Sequence, residues 1–190
     1  MLRTISATLV ATMLVAPAGA GILDQTSPYA STSFNMTAST LSWQQDITVN
    51  KPGALVQIDL YVTAPGSCTV SMSAGAPWHI GLPDYSTSFS AAETGWHSID
   101  VSASGLAFLQ NGHFTLGLTG NESGLWLGGS TLVPSGGYDR GTLYLNSAIY
   151  VDGSYDVAFR TYVLPSPGAA ALLVLGATVG MARWRSRTAR

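Results

Sequence analysis

Along residues 41–49 the side chains of Leu41, Trp43, Ile47 and Val49 fall on one side of an extended chain, and Gln45 is the polar exception among them. Residues 56–62 repeat the arrangement, with Val56, Ile58, Leu60 and Val62 alternating with Gln57, Asp59 and Tyr61. Phe114, Leu116 and Leu118 alternate with Thr115, Gly117 and Thr119. Near the end, Tyr155, Val157, Phe159, Thr161 and Val163 alternate with Asp156, Ala158, Arg160 and Tyr162. Successive side chains of a strand point to opposite faces, so this period of two predicts strands with one side for a core and one for water. Residues 21–164 contain no run of helical period long enough to compete.

Between the alternating runs lie Lys51-Pro52-Gly53, Ala64-Pro65-Gly66, Asn111-Gly112, residues 120–124, Ser135-Gly136-Gly137 and Asp152-Gly153. Gly and Asn supply positive φ and Pro presets a turn. Asn111-Gly112, between residues 106–109 and 113–114, is the strongest tight-turn signal. About eight to ten short strands at this spacing predict an all-β fold, an antiparallel β-sandwich with sheets packed face to face. A closed barrel is the alternative.

The two ends have a different composition. Arg3, an apolar stretch over residues 5–15 and Ala18-Gly19-Ala20 make the three parts of a secretory signal, expected to be cut after Ala20. At the other end, residues 168–182 are apolar or small throughout, yet a comfortable membrane span needs about 20 residues. Arg183, Arg185, Arg187 and Arg190 follow directly, a cluster of the kind kept on the cytoplasmic side. The expected topology places the body outside.

Setting these ends apart leaves residues 21–164, long enough for one domain with a proper core. That body holds three basic residues, Lys51, Arg140 and Arg160, against all ten acidic ones, a net of −7 where the whole chain shows −2. Phosphate binding needs clustered Lys and Arg, so nucleic acid is not an expected partner. Cys68 is the single cysteine, which excludes an intrachain disulfide; its alternation with Val70 and Met72 predicts a buried, inert thiol.

Pro165-Ser166-Pro167, the short apolar run and the arginine tail together resemble the PEP-CTERM sorting signal of bacterial surface and exopolysaccharide-associated proteins. Serine stands where that family usually shows glutamate. The resemblance implies a sorting segment over residues 165–190, membrane attachment by its apolar helix before processing, and an exosortase-like processing enzyme as partner. A plain carboxy-terminal anchor is the alternative. The body, from S-x-S-F-x-x-x-x-x-x-L-S-W at Ser31, through A-L-V-Q-I-D-L-Y-V, G-W-H-S-I-D-V and G-H-F-T-L-G-L, to D-V-A-F-R-T-Y-V before Pro165, resembles a bacterial extracellular jelly-roll module. Such modules are similar to galactose-binding-like and carbohydrate-binding sandwiches.

Catalytic signatures are missing from the sequence. There is no G-x-S-x-G elbow and no H-E-x-x-H, and His79, His97 and His113 are spread over three segments. The alternative to a noncatalytic protein is a secreted glycoside hydrolase or lyase using Glu122 and Asp139, which requires the two carboxylates to lie about 5 to 9 Å apart. Asp24, Asp152 and Asp156 are candidates for a structural calcium, an ion that takes oxygen ligands.

Aromatics offer a further lead, because sugar rings stack their C–H faces on Trp and Tyr while neighbouring polar groups take the hydroxyls. Trp78 beside Pro77, Trp126 after a glycine-rich turn, and Tyr138-Asp139 in a glycine loop are the candidate ligand-binding residues, with extracellular polysaccharide as the ligand class. Packing in the core is the competing expectation for the strand-borne Trp43, Trp96 and Trp126. Tyr138, Tyr144 and Tyr150 are expected to be partly exposed. Arg160 is expected to serve a structural role by reaching an acidic residue on a neighbouring strand or at the rim, with ligand contact as the alternative.

Overall fold

The computed structural model describes residues 21–40, 42–75, 83–131 and 138–165. The signal segment with Ala18 and Ala20, Trp78, His79, and the tail with Ser166, Pro167, Arg183, Arg185 and Arg187 lie outside the described residues. Among those described, no helix is long and apolar enough to cross a membrane.

The strands, numbered in chain order, form two antiparallel sheets. The first runs β1 (Ile22–Ser27), β14 (Phe159–Pro165), β4 (Gly53–Ala64), β10 (Trp126–Thr131) and β13 (Tyr155–Val157). In the same sheet β2 (Thr32–Asn35) pairs with β10, while β7 (Gly95–Asp100) and β8 (Ala107–Phe108) pair with β4. The second runs β12 (Ala148–Ile149), β11 (Leu143–Leu145), β3 (Ser42–Thr48), β9 (His113–Gly120), β5 (Gly66–Ala74) and β6 (Tyr85–Ala91). The architecture is a two-layer β-sandwich.

The alternation read from the sequence supplies the core. Ile58, Leu60 and Val62 of β4 and Phe159 and Val163 of β14 come from one sheet. Trp43 and Ile47 of β3, Phe114, Leu116 and Leu118 of β9, and Cys68, Val70 and Met72 of β5 come from the other. Burial of each large aliphatic or phenylalanine side chain among them contributes about 1.5–3 kcal/mol before the entropy of ordering the chain is set against it. Burial also pushes the Cys68 thiol up to about 12, so the thiolate that reacts is scarce at neutral pH.

Gln45, which breaks the apolar run of β3, is fully buried and joins the two layers. Its amide nitrogen donates to Asp156 Oδ1 at 2.9 Å, and its amide oxygen accepts from the Val157 backbone at 3.1 Å. Asp156 is therefore buried, where simple alternation through residues 155–163 had put it on the outer side with Arg160. The alternation itself holds, since Val157, Phe159 and Val163 all lie in the core; Asp156 is covered because Gln45 of the facing sheet reaches its carboxylate. Ala158 lies between β13 and β14, where its N–H donates to the Gly128 carbonyl and its carbonyl accepts from Tyr61. Arg160 and Tyr162 keep the outward side.

Asn111 does adopt positive φ at 64°, and Gly112 closes the turn by donating to Leu109. The turn nevertheless joins β8 in the first sheet to β9 in the second, so it bridges the layers. Asn111 and Gly112 also exchange backbone hydrogen bonds with Val49.

Tyr138 is buried, at 4% exposure, where partial exposure was expected. Its hydroxyl accepts from the Thr48 amide at 2.8 Å and donates to the Thr48 carbonyl at 3.0 Å, filling the edge of β3 beyond the reach of β11. The ring packs edge-on against Phe159. Burial pushes its phenol up to about 12, which keeps it a donor. Tyr144 and Tyr150 are half-buried, in line with expectation.

Candidate functional site on the outer face of the first sheet

Of the three strand-borne tryptophans only Trp43 lies in the core. Trp126 is 38% exposed, and Trp96 is half-buried on the outer face of the first sheet. The register explains the company they keep. Asp59 of β4 sits between Ser98 of β7 and Arg160 of β14, and Tyr61 lies opposite Trp96. Side chains directly opposite across a ladder share a face and lie within contact distance.

The rings form a row. Tyr61 meets Trp96 edge-to-face at 5.4 Å between centroids and stacks flat on Tyr29 at 4.2 Å. Tyr29, from the β1–β2 connection, retains 39% exposure. Gly128 of β10 makes this stack possible. A Cβ there would stand 2.6 Å from Tyr29 Cδ2 and 2.9 Å from Tyr61 Cδ1, so only a bare backbone lets both rings lie down on the strand. Trp126 is two residues away on the same strand, and alternation puts its side chain on the same face.

Polar groups lie alongside. Asp59, although on the outer face, is buried to 4% exposure by its neighbours. Its Oδ1 accepts from Gln57 Nε2 at 2.7 Å and Ser98 Oγ at 2.8 Å, and its Oδ2 accepts from the Tyr162 hydroxyl at 2.9 Å. Desolvation, followed by the bond to Asp59 and its charge, raises the Tyr162 phenol, so Tyr162 stays protonated and donates. Arg160 does not reach a carboxylate as expected; among the described residues it makes no ion pair, and its guanidinium lies over the Trp96 ring, 3.9 Å from the centroid. A cation over an indole face at that distance is attracted by the ring quadrupole. The exposed Tyr29 and Trp126, a guanidinium and hydroxyl groups thus share one surface.

The remaining sequence candidates are not gathered there. Glu122 sits in the β9–β10 turn, accepting from Ser39, near the Ser42 end of β3. Asp139 lies beside Tyr138 and Arg140, whose groups bond Thr48 at the other end of that strand. Six residue steps of strand separate those ends by roughly 20 Å, far beyond the spacing of a glycosidase pair. Asp24 accepts from the Asn50 and Lys51 amides, Asp152 is exposed in a 3-10 turn, and Asp156 is buried against Gln45. These three aspartates do not converge, and among the described residues no group of three or more His, Cys, Asp or Glu side chains is placed to hold a metal ion. His97 contacts the Glu93 carbonyl, and His113 lies 3.7 Å from Asp46. Pro165 is the exposed end of β14.

Tyr29, Tyr61, Asp59, Trp96 and Tyr162 were not singled out as a site in the sequence. Gln57, Asp59 and Tyr61 did read as the outward side of one strand, as did Arg160 and Tyr162 of another. The order β7, β4, β14 was the missing fact, since it alone puts them side by side. No protein-family model matches this chain and no curated protein is significantly similar to it, so its function has to be sought in the chemistry of such faces.

Proposed function

We propose that this chain is an exported, noncatalytic β-sandwich of the cell surface or the extracellular polysaccharide matrix, which binds glycans weakly on the outer face of its first sheet. The observation that carries the reading is the row of Tyr29, Tyr61 and Trp96 flanked by Arg160 and Tyr162, with the exposed Trp126 on the same face. Aromatic faces take the C–H surface of a sugar, and the adjoining guanidinium and hydroxyls take its oxygens. The acidic, hydroxyl-rich body and the signal-like ends support an extracellular setting. The jelly-roll and galactose-binding-like resemblance agrees with two facing antiparallel sheets, and the tail resembling a PEP-CTERM signal supplies the route through an exosortase-like enzyme.

The test is retention of the chain on polysaccharide isolated from the producing cells. Tyr29→Ala and Trp126→Ala are expected to weaken retention about tenfold each, the loss of one stacking contact of about 1.4 kcal/mol. Gly128→Ala, which pushes the tyrosine rings off the strand, is expected to do the same without removing a ring. Equal retention of all four proteins would remove this face from the function. Sorting has its own readout: the mass of the mature chain is expected to end near Pro165, and an intact tail through Arg190 would mean simple tethering.

A further inference from the structure

Among the described residues the outer face of the second sheet has no aromatic row, but it carries a trough. β3, β9 and β5 lie abreast, so that Gln44, Gly117 and Ser71 form one cross-strand row and Asp46, Thr115 and Ser73 the next. Gly117 lacks a side chain between two longer neighbours, which leaves a depression of about 180 Å³ with Ser42 at one corner and Pro83 as its apolar wall. Among the described residues, two buried side-chain atoms of its lining have no hydrogen-bond partner: Gln44 Oε1 and Thr115 Oγ1. Thr115 is only 4% exposed. Asp46 Oδ1, beside Thr115 in the row, has no hydrogen bond either, and His113 Nδ1 lies 3.7 Å from it.

A buried polar atom without a partner costs about 1–3 kcal/mol, so these positions favour whatever brings hydrogen-bond donors to them. Among the described residues the trough lining holds no charged side chain, and Asp46 next to it disfavours an anion. Gln44 Oε1 and Asp46 Oδ1 want donors, while Thr115, Ser42, Ser71 and Ser73 hydroxyls both give and accept. The volume suits one six-membered ring, since a cavity of roughly 150 Å³ accommodates benzene. We propose that this trough is a second saccharide site, taking a single neutral hexose unit edge-on through Gln44, Thr115 and the serine hydroxyls. It lies on the face opposite the aromatic row and does not depend on that row. A sandwich with a sugar site on each face would bridge two polysaccharide strands.

Amide spectra of the isotopically labelled chain, titrated with free glucose, galactose and mannose, decide the matter. At least one hexose is expected to shift the Gln44 side-chain amide and the Gly117 and Thr115 backbone signals saturably. Thr115→Val, nearly isosteric, is expected to weaken that binding about fivefold to tenfold. Gly117→Ala, which fills the trough against the short, rotatable Ser71 hydroxyl, is expected to abolish it. Trp126→Ala is expected to leave these shifts unchanged, which separates this site from the aromatic row. Shifts lost in Trp126→Ala, or no hexose moving the Gln44 and Gly117 signals, would overturn the proposal and leave a groove filled by water. Should Thr115→Val unfold, Ser71→Ala gives the same reading from the other side of the trough.

Discussion

Phe34→Ala is expected to destabilise the fold by about 3–5 kcal/mol, and Gly129→Ala by about 1–3 kcal/mol, yet the two together by less than their sum. Phe34 is 2% exposed and packs at 4.9 Å from Trp43, which in turn meets Tyr150 edge-on at 4.9 Å. Its ring also lies directly over Gly129 in the neighbouring strand. A Cβ on Gly129 would stand 2.0 Å from Phe34 Cε2 and 2.5 Å from the Asp156 carbonyl oxygen. Truncating Phe34 leaves a cavity and removes one of the two clashes, so Gly129→Ala becomes cheaper in that background. The favourable coupling is expected at about 1 kcal/mol or more, read from urea midpoints of the two single variants and the double. Additive costs would mean that the ring does not fill the space above Gly129.

That pair shows what one-dimensional pattern carries and what it leaves out. Burial of Ile58, Leu60, Val62, Leu116 and Leu118 was legible because one period fixes one face. Fold class followed from many such runs with turn residues between them. The identity of the neighbours did not follow, because the strand pairings join residues far apart in the chain: Phe159 with Leu60, Trp43 with Leu118, Leu127 with Phe34. Nothing in the sequence sets Gly129 apart until Phe34 is known to lie on it.

The misplaced residues share one cause. Trp96 was expected in the core as a strand-borne tryptophan, yet it shares its phase with the exposed Ser98 and Asp100; it lies opposite Tyr61, and its ring is covered by Arg160 from β14, two strands away in the sheet. Tyr138 sits among glycines in sequence and in the core in space, because the edge of β3 offers an amide and a carbonyl that its hydroxyl completes. Asp156 keeps its phase but is buried all the same, because Gln45 of the facing sheet reaches its carboxylate. In each case a partner distant in sequence decides what covers the side chain. The aromatic row and the hydroxyl trough are products of the same kind: both appear only once three strands are laid side by side.

Asp156 leads to the last and largest solution effect. Burial pushes its carboxyl up to about 7, with Asp139 adding to the shift while Gln45 and the Tyr138 amide oppose it. Its Oδ2 has no partner among the described residues, so ionisation would leave charge on an unsolvated oxygen. In the unfolded chain the same group titrates near 3.8. Between those values the native state holds a proton that the unfolded state has released, and stability falls with rising pH by about 1.4 kcal/mol per unit. The stabilisation is complete below the unfolded value and is lost as pH rises to about 7, a ceiling of about 4 kcal/mol that relaxation and water entry reduce. Asp24 and Asp46 are also raised by burial and contribute in the same direction. Asp156→Asn keeps an acceptor for Gln45 without the charge, so its urea midpoint is expected to fall much less than the wild-type midpoint between about pH 5 and pH 8. At the alkaline end the variant should be the more stable of the two. Parallel pH profiles for both proteins would show that the Gln45–Asp156 tie is hydrated and ionises freely, and the two sheets would then be joined there by a solvated carboxylate instead of a protonated one.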